Sequence, residues 1–332
     1  MTGGVITKVT RANSAAIRAA ADVLRAGGLV AIPTETVYGL GADATDATAV
    51  ARIYAAKGRP SFNPLISHVS DLAAARRIAQ FDDAALRLAA FWPGPLTLVL
   101  PKAQDCPVAE LALAGLPTIA VRVPAHPVAR ELIAVFGKPI VAPSANRSGH
   151  VSPTDAQHVV ADLDGRVDLV LDGGATPVGV ESSIVACLNG TTRLLRPGGL
   201  PRAEMERALG HRFALAEDLP LMTDGDEAPI APGMLASHYA PRARLRLNSD
   251  RVNEGEAVLA FGATLLPGAQ QAAMSLNLSE RGDLVEAAAN LFSHLRALDA
   301  ADVTSIAVMP VPPEGLGEAI NDRLARAAAP KP

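Results

Sequence analysis

Short apolar runs alternate along this chain with longer segments whose hydrophobic positions recur every three to four residues. Residues 29–32, 64–69, 96–100, 118–123, 139–142 and 167–171 are apolar and bounded by Gly or Pro, which predicts strands. Between them, helices are predicted from Asn13 or Ser14 to Arg25, from Asp46 to Gly58, and from starts at Ser70 and Asp82. His126 and Ser152 each precede a proline, the residue favoured at the first helical position, and are expected to cap two more. Residues 182–188 and 191–196 flank Asn189-Gly190, a hairpin signal. A hairpin among helix-linked strands predicts a mixed sheet. After residue 210 the pattern breaks. Residues 211–241 carry Pro220, Asp224-Gly225-Asp226-Glu227, Pro229, Pro232-Gly233 and Pro241, too long and irregular for a compact-domain loop. Strand patterns at 245–247, 258–261 and 306–308 then alternate with helical patterns at 283–298 and 316–328. The expected organisation is a larger first α/β domain over 1–210, a linker over 211–243 and a small α/β domain over 244–332.

Length agrees: 332 residues at ~150 per domain predict about two domains. With 49% hydrophobic and 19% charged residues the chain can bury a sizeable core, and 3% aromatics make that core aliphatic. Lys+Arg 30 against Asp+Glu 34 gives a net charge of −4, which argues against a nucleic-acid coat. Met1-Thr2-Gly3-Gly4 shows no signal-peptide pattern, and the longest uncharged run, 257–279, is broken by Gly262, Pro267 and Gly268. Two cysteines, Cys106 and Cys187, make neither a disulfide framework nor a zinc site. A soluble cytoplasmic protein, not a membrane one, is expected.

Gly39-Leu40-Gly41-Ala42-Asp43-Ala44 fits the dinucleotide pattern G-x-G-x-x-G/A, but Thr34 to Tyr38 separate it from the strand and no acid follows about 20 residues on. No nucleophile elbow, P-loop or zinc-protease motif is present. Instead, polar groups gather at strand ends, where open α/β sheets bind ligands. Thr34-Glu35-Thr36, Lys57 with Arg59 and Asn63, His68, Thr118 with Arg122, Ser144, Ser152 and Arg196 all sit there. Taken one by one they read as helix-end charges, caps or surface residues. Together, cations and hydroxyls without an acidic cage suit a polyphosphate plus a small anion.

At these residues the chain resembles the YrdC-like family. The resemblance rests on Pro33-Thr34-Glu35-Thr36-Val37-Tyr38-Gly39-Leu40, Lys57-Gly58-Arg59-Pro60 with Asn63-Pro64-Leu65, and Trp92-Pro93-Gly94-Pro95-Leu96-Thr97. Pro143-Ser144-Ala145-Asn146 with Ser148-Gly149, and Arg196-Pro197-Gly198, continue it in order. Ser237-His238-Tyr239-Ala240-Pro241 and the small domain after it are similar to the family's longer branch, the two-domain threonylcarbamoyl-AMP synthases. That resemblance implies an open twisted mixed sheet with helices plus a small Rossmann-like α/β domain. It implies a nucleotidyltransferase that makes L-threonylcarbamoyl-AMP from L-threonine, bicarbonate and ATP, the first step of tRNA t6A37 modification. Mg2+ would accompany ATP, no organic cofactor is implied, and the product would pass to the t6A transferase machinery, with at most weak tRNA contact.

Carried over by position, Thr36, His68, Arg122, Ala142 and Ser182 are expected around threonine, with Arg122 on its carboxylate. Arg59, Asn63, Thr118, Ser144, Ser152, Arg196 and Tyr239 are expected around ATP, with Lys57 as a further phosphate cation. The linker would then be a lid bringing Tyr239 to the triphosphate. No protein nucleophile or bound-metal ligand is implied. The chain departs from the family after Glu181-Ser182, where Ser183 replaces a common Thr and Ala186-Cys187 replaces an Asp. A non-catalytic RNA-binding protein is the competing expectation. A carbamoyl-transfer maturation domain is disfavoured, because its cysteine-rich modules are missing.

Overall fold

The computed structural model describes residues 6–60, 62–214 and 239–330. Strands β1 (Lys8–Arg11), β2 (Val30–Pro33), β3 (Tyr38–Asp43), β4 (Ile66–His68), β5 (Leu96–Pro101), β6 (Thr118–Arg122), β7 (Ile140–Val141), β8 (Leu169–Asp172), β9 (Ser183–Leu188) and β10 (Thr191–Arg196) make one sheet. Their order is β1-β8-β2-β3-β7-β4-β6-β5-β9-β10. The sheet is mixed, as predicted: β1 and β2 each run parallel to β8, β4 to β6 and β5 to β9, while β2–β3 and β9–β10 are antiparallel hairpins. Asn189 and Gly190 both take positive φ, 53° and 74°, the twist a two-residue hairpin needs.

Helices α1 (Ser14–Arg25), α2 (Ala47–Lys57), α3 (Leu72–Arg76), α4 (Asp83–Ala89), α5 (Glu110–Leu113), α6 (Pro127–Phe136), α7 (Ala156–Leu163) and α8 (Arg202–Leu209) flank it. Strand β2 shows why its run is continuously apolar. Ala31 joins the core under α2, α4 and α7, while Val30 and Ile32 face the core under α1 and α6. The same alternation puts Thr118, Ala120 and Arg122 on one face of β6 and Ile119 and Val121 on the other.

Asn13, Asp46, Asp82 and His126 cap their helices through the side chain, as the sequence predicts. Two caps differ. Asp71, not Ser70, caps α3, and Asp155, not Ser152, caps α7. The carboxylates reach the exposed amides of the first turn, whereas Ser152 is wholly buried and bonded elsewhere. The Gly39-Leu40-Gly41 stretch is neither loop nor helix but strand β3. A Cβ on Gly39 would meet the Ala142 Cβ at 3.1 Å, and one on Gly41 the Val30 carbonyl at 3.1 Å, so these glycines let neighbouring strands close up.

A second sheet is formed by β11 (Arg244–Arg246), β12 (Ala257–Ala260), β13 (Ser275–Asn277) and β14 (Ser305–Val308), all parallel, in the order β11-β14-β12-β13. Helices α9 (Leu284–Ala300) and α10 (Gly317–Ala328) pack on it. Its core is not private. Val37, Val151, Val180 and Tyr239 belong to the same buried cluster as Leu291, Phe292 and Ile320. Gly179 makes that contact possible: at φ 76° it lies so close to α9 that a Cβ would sit 2.3 Å from the Ala288 carbonyl. Met234, Ser237 and His238 of the expected lid lie outside the described residues. No helix among the described residues is long and apolar enough to cross a membrane.

Candidate functional site

Where β2 turns into β3, Thr34 knits the corner. Its hydroxyl donates to the Val37 carbonyl at 2.6 Å and accepts from the Thr36 and Val37 amides. That corner projects Glu35 and Thr36 toward the end of β6, where Arg122 waits on the face set by strand alternation. Arg122 Nη2 donates to Glu35 Oε1 at 2.6 Å, Nη1 to Thr36 Oγ1 at 3.0 Å, and Nε to the Gly94 carbonyl at 3.3 Å. Glu35 Oε2 also accepts from the Ala125 amide at 3.0 Å. Burial pushes this carboxyl up, but the Arg122 charge and hydrogen bond outweigh it and hold it below the usual carboxylate range. Three of the five guanidinium N–H groups are committed, which fixes the plane of the fork and leaves two for a ligand.

Arg122 and Thr36 line a cavity of about 50 Å³ whose wall also contains His68, Ala142, Ser144, Glu181, Ser182, Arg59, Arg196 and Tyr239, with Glu35 standing behind Arg122. His68 Nδ1 donates to the Ile66 carbonyl at 3.2 Å, and burial, with the Arg122 charge adding, pulls the imidazole down to about 3. It is therefore neutral at physiological pH and can accept a hydrogen bond. Ser182 is held between Thr97, 2.8 Å hydroxyl to hydroxyl, and Arg196, whose Nη2 donates to both the Ser182 carbonyl (2.9 Å) and Oγ (3.2 Å). Arg59 donates to the carbonyls of Asn63 and Pro64. Burial lowers its pKa to about 10, so it stays charged. Three guanidiniums, Arg59, Arg122 and Arg196, against the one carboxylate of Glu181 give the cavity a positive wall, suited to anions.

Of the residues expected around threonine, Thr36, His68, Arg122, Ala142 and Ser182 all line this one cavity, and of those expected around ATP so do Arg59, Ser144, Arg196 and Tyr239. Four others do not. Lys57 is the clearest correction. Its ammonium is buried and donates to the Ser144 carbonyl (2.5 Å), the Asn146 carbonyl (2.6 Å) and Asn146 Oδ1 (3.3 Å), so all three N–H groups tie down the Ser144 loop and none faces the cavity. Ser152 stands behind the wall and donates to Glu181 Oε1 at 2.5 Å. Thr118 begins β6, four residues and about 13 Å from Arg122 along the strand. Asn63 is buried beside Arg59, with an Oδ1 that has no hydrogen-bond partner among the described residues.

The sequence marks Glu35 only as part of the Thr34-Glu35-Thr36 strand end and assigns neither it nor Glu181 a role in the site. A signal existed for Glu181, the one acid in the run from Val178 to Val185, since a charge in an apolar strand entry requires a buried cation. That cation is Arg323 on α10, whose Nε donates to Glu181 Oε2 at 2.8 Å. Burial raises the Glu181 carboxyl, and the charges of Arg323 and Arg196 lower it further than that.

A family model described as "Telomere recombination" matches residues 22–198, and one described as "Threonylcarbamoyl-AMP synthase, C-terminal domain" matches residues 200–329. The chain is 41% identical to the threonylcarbamoyl-AMP synthase of Bacillus subtilis, over 97% of this chain and 96% of that one. It is also 41% identical to that of Pyrococcus abyssi, over 94% of each. The crystal structure of P. abyssi Sua5 complexed with L-threonine matches with a TM-score of 0.82 at 38% identity, covering 98% of this chain and 97% of that one. Escherichia coli YciO, at 23% identity and a TM-score of 0.52 over 59% of the chain, shares the fold of the first sheet.

Proposed function

The chain belongs to the Sua5/YrdC family of threonylcarbamoyl-AMP synthases, and from that premise we propose that it condenses L-threonine, bicarbonate and ATP into L-threonylcarbamoyl-AMP. The observation that carries this reading is the convergence of Thr36, His68, Arg122, Ala142 and Ser182, from separate segments of the chain, on one cavity wall. The threonine amine takes up bicarbonate with loss of water, and the carbamate oxygen then attacks the α-phosphorus of ATP, expelling pyrophosphate. This is nucleotidyl transfer. The spare N–H groups of Arg122 face the amino-acid carboxylate, and neutral His68 accepts from its polar hydrogens. Arg59 and Arg196 offset the charge of the phosphates. Such a reaction needs reactants positioned and charge neutralised, not a protein nucleophile.

The Glu181 carboxylate of the wall and the Glu35 carboxylate behind it are both held by arginines, and among the described residues no group of three His, Cys, Asp or Glu side chains is placed to hold a metal ion. The donor set does not make a resident metal site, so Mg2+ enters as part of the MgATP substrate. The product is the activated donor for the tRNA t6A37 transfer step. A pyrophosphate-release assay tests the reading: release requires ATP, threonine and bicarbonate together, and release that continues without threonine refutes it.

A further inference from the structure

Arg323 is wholly buried, yet it belongs to the second sheet's helix α10 and its guanidinium ends beside the cavity of the first. Nε donates to Glu181 Oε2, Nη1 donates to Asp322 Oδ2 at 2.6 Å, and the flat Cζ lies 5.3 Å from the centroid of the Tyr239 ring. The other face of the contact is also foreign to the first sheet: Phe292 of α9 stacks on Tyr239 at 5.6 Å and 26°. Glu181 in turn accepts from Ser152, and both Glu181 and Tyr239 line the cavity. Arg323 Nη2 is buried without a hydrogen-bond partner among the described residues. A domain staple does not require this. A buried N–H left unpaired calls for an explanation, and the flat fork held against the Tyr239 ring, at the expense of one hydrogen bond, supplies it. Arg202 and Glu318 offer the contrast, since they also join the two halves of the chain but are about 42% and 30% exposed at their side chains.

We infer that Arg323 is a positioning residue for the nucleotide half of the cavity, so that the second domain completes the site by fixing Tyr239 and Glu181. This deepens the synthase reading and rests on it for the division of the cavity into two halves. A lysine at 323 keeps the charge opposite Glu181 but loses the flat fork that lies against the ring.

The test is calorimetric titration of the full-length protein, wild type and the Arg323→Lys, Arg323→Met and Arg202→Met variants. Each is titrated with the β,γ-imido analogue of ATP and, separately, with L-threonine. Arg323→Met weakens the nucleotide about tenfold or more and threonine less than twofold. Arg323→Lys falls between it and wild type, and Arg202→Met matches wild type for both ligands. If Arg323→Lys binds the nucleotide as wild type does, or if both ligands weaken equally in the Arg323 variants, Arg323 is only a staple and the inference is overturned. A wild-type protein that binds the nucleotide but not threonine refutes the synthase reading and still leaves the nucleotide arm of this test decisive.

Discussion

Two buried arginine–glutamate pairs stand on either side of the cavity, and they are built differently. Glu35 and Arg122 come from a strand corner and a strand of the same sheet, meet at 2.6 Å, and share the frame of Thr36, Gly94 and Ala125. Glu181 and Arg323 meet at 2.8 Å, but the glutamate belongs to the first sheet's β9 entry and the arginine to a helix packed on the second sheet. The first pair exists wherever the ten-stranded sheet exists. The second exists only while the two halves of the chain are docked. Half of the site is therefore preorganised locally, and the other half is conditional on an interface.

The largest effect comes from breaking the local pair. Arg122→Ala leaves Glu35 buried and uncompensated, which costs about 3–5 kcal/mol of stability. Denaturant unfolding measures this, and threonine binding is lost by calorimetry, with Arg122→Lys a poor rescue because a point charge does not replace the fork. A wild-type unfolding midpoint would end the argument for a locally fixed half.

Next comes the interface. Gly179→Ala drives a Cβ toward the Ala288 carbonyl and forces a residue with a side chain to positive φ. We expect a loss of about 1–3 kcal/mol, taken from docking rather than from the first sheet. Small-angle scattering then shows a larger particle and calorimetry a weakened nucleotide, while threonine binding holds. An unchanged scattering profile would remove the conditional half from the comparison.

The third prediction concerns pH. His68 titrates at about 3 folded against 6.5 unfolded, so between those values the unfolded chain binds the extra proton. This stability is fully present above about 6.5 and is lost as pH falls toward 3, with a slope from one group of at most about 1.4 kcal/mol per pH unit. His68→Asn flattens that slope in urea titrations, and no imidazole titration appears in threonine binding above neutrality. A wild-type slope unaltered by His68→Asn sinks the assignment. The smallest effect is Arg202→Met, a part-exposed pair worth no more than about 1 kcal/mol, measurable by thermal melting and invisible to both ligands.

Local chemistry made much of the fold legible. Caps at Asn13, Asp46, Asp82 and His126 and the Asn189-Gly190 turn depend on groups within four residues of one another. Failures came where a residue's role is set from afar. The Gly39 and Gly41 pattern is rightly refused as a dinucleotide loop, but the real constraint on these glycines, Ala142 and Val30 on adjacent strands, is distant in sequence and stays hidden. Ser152 looked like a cap because its true acceptor, Glu181, is 29 positions away. The convergence of Thr36, His68, Arg122, Ala142 and Ser182 on one cavity followed from the family resemblance, whose compact motifs lie at or beside strand ends. Arg323 was not legible, being one charge on an amphipathic helix with nothing local to mark it.

The tethering of Lys57 has a consequence for what the protein does not do to itself. A carbamoyl adenylate is an acylating agent, and any accessible amine beside it becomes a victim. Every cation in the cavity wall is an arginine, whose guanidinium stays protonated and unreactive. Burial and the neighbouring Arg59 charge pull the Lys57 amine well below its ordinary pKa, toward the nucleophilic form, yet its nitrogen is turned onto the oxygens of Ser144 and Asn146 and away from the reacting atoms. Neither cysteine lines the cavity, and burial pushes the Cys187 thiol up to about 12. Among the described residues the wall thus carries neither an amine nor a thiol, the two groups an activated carbamoyl product would acylate fastest.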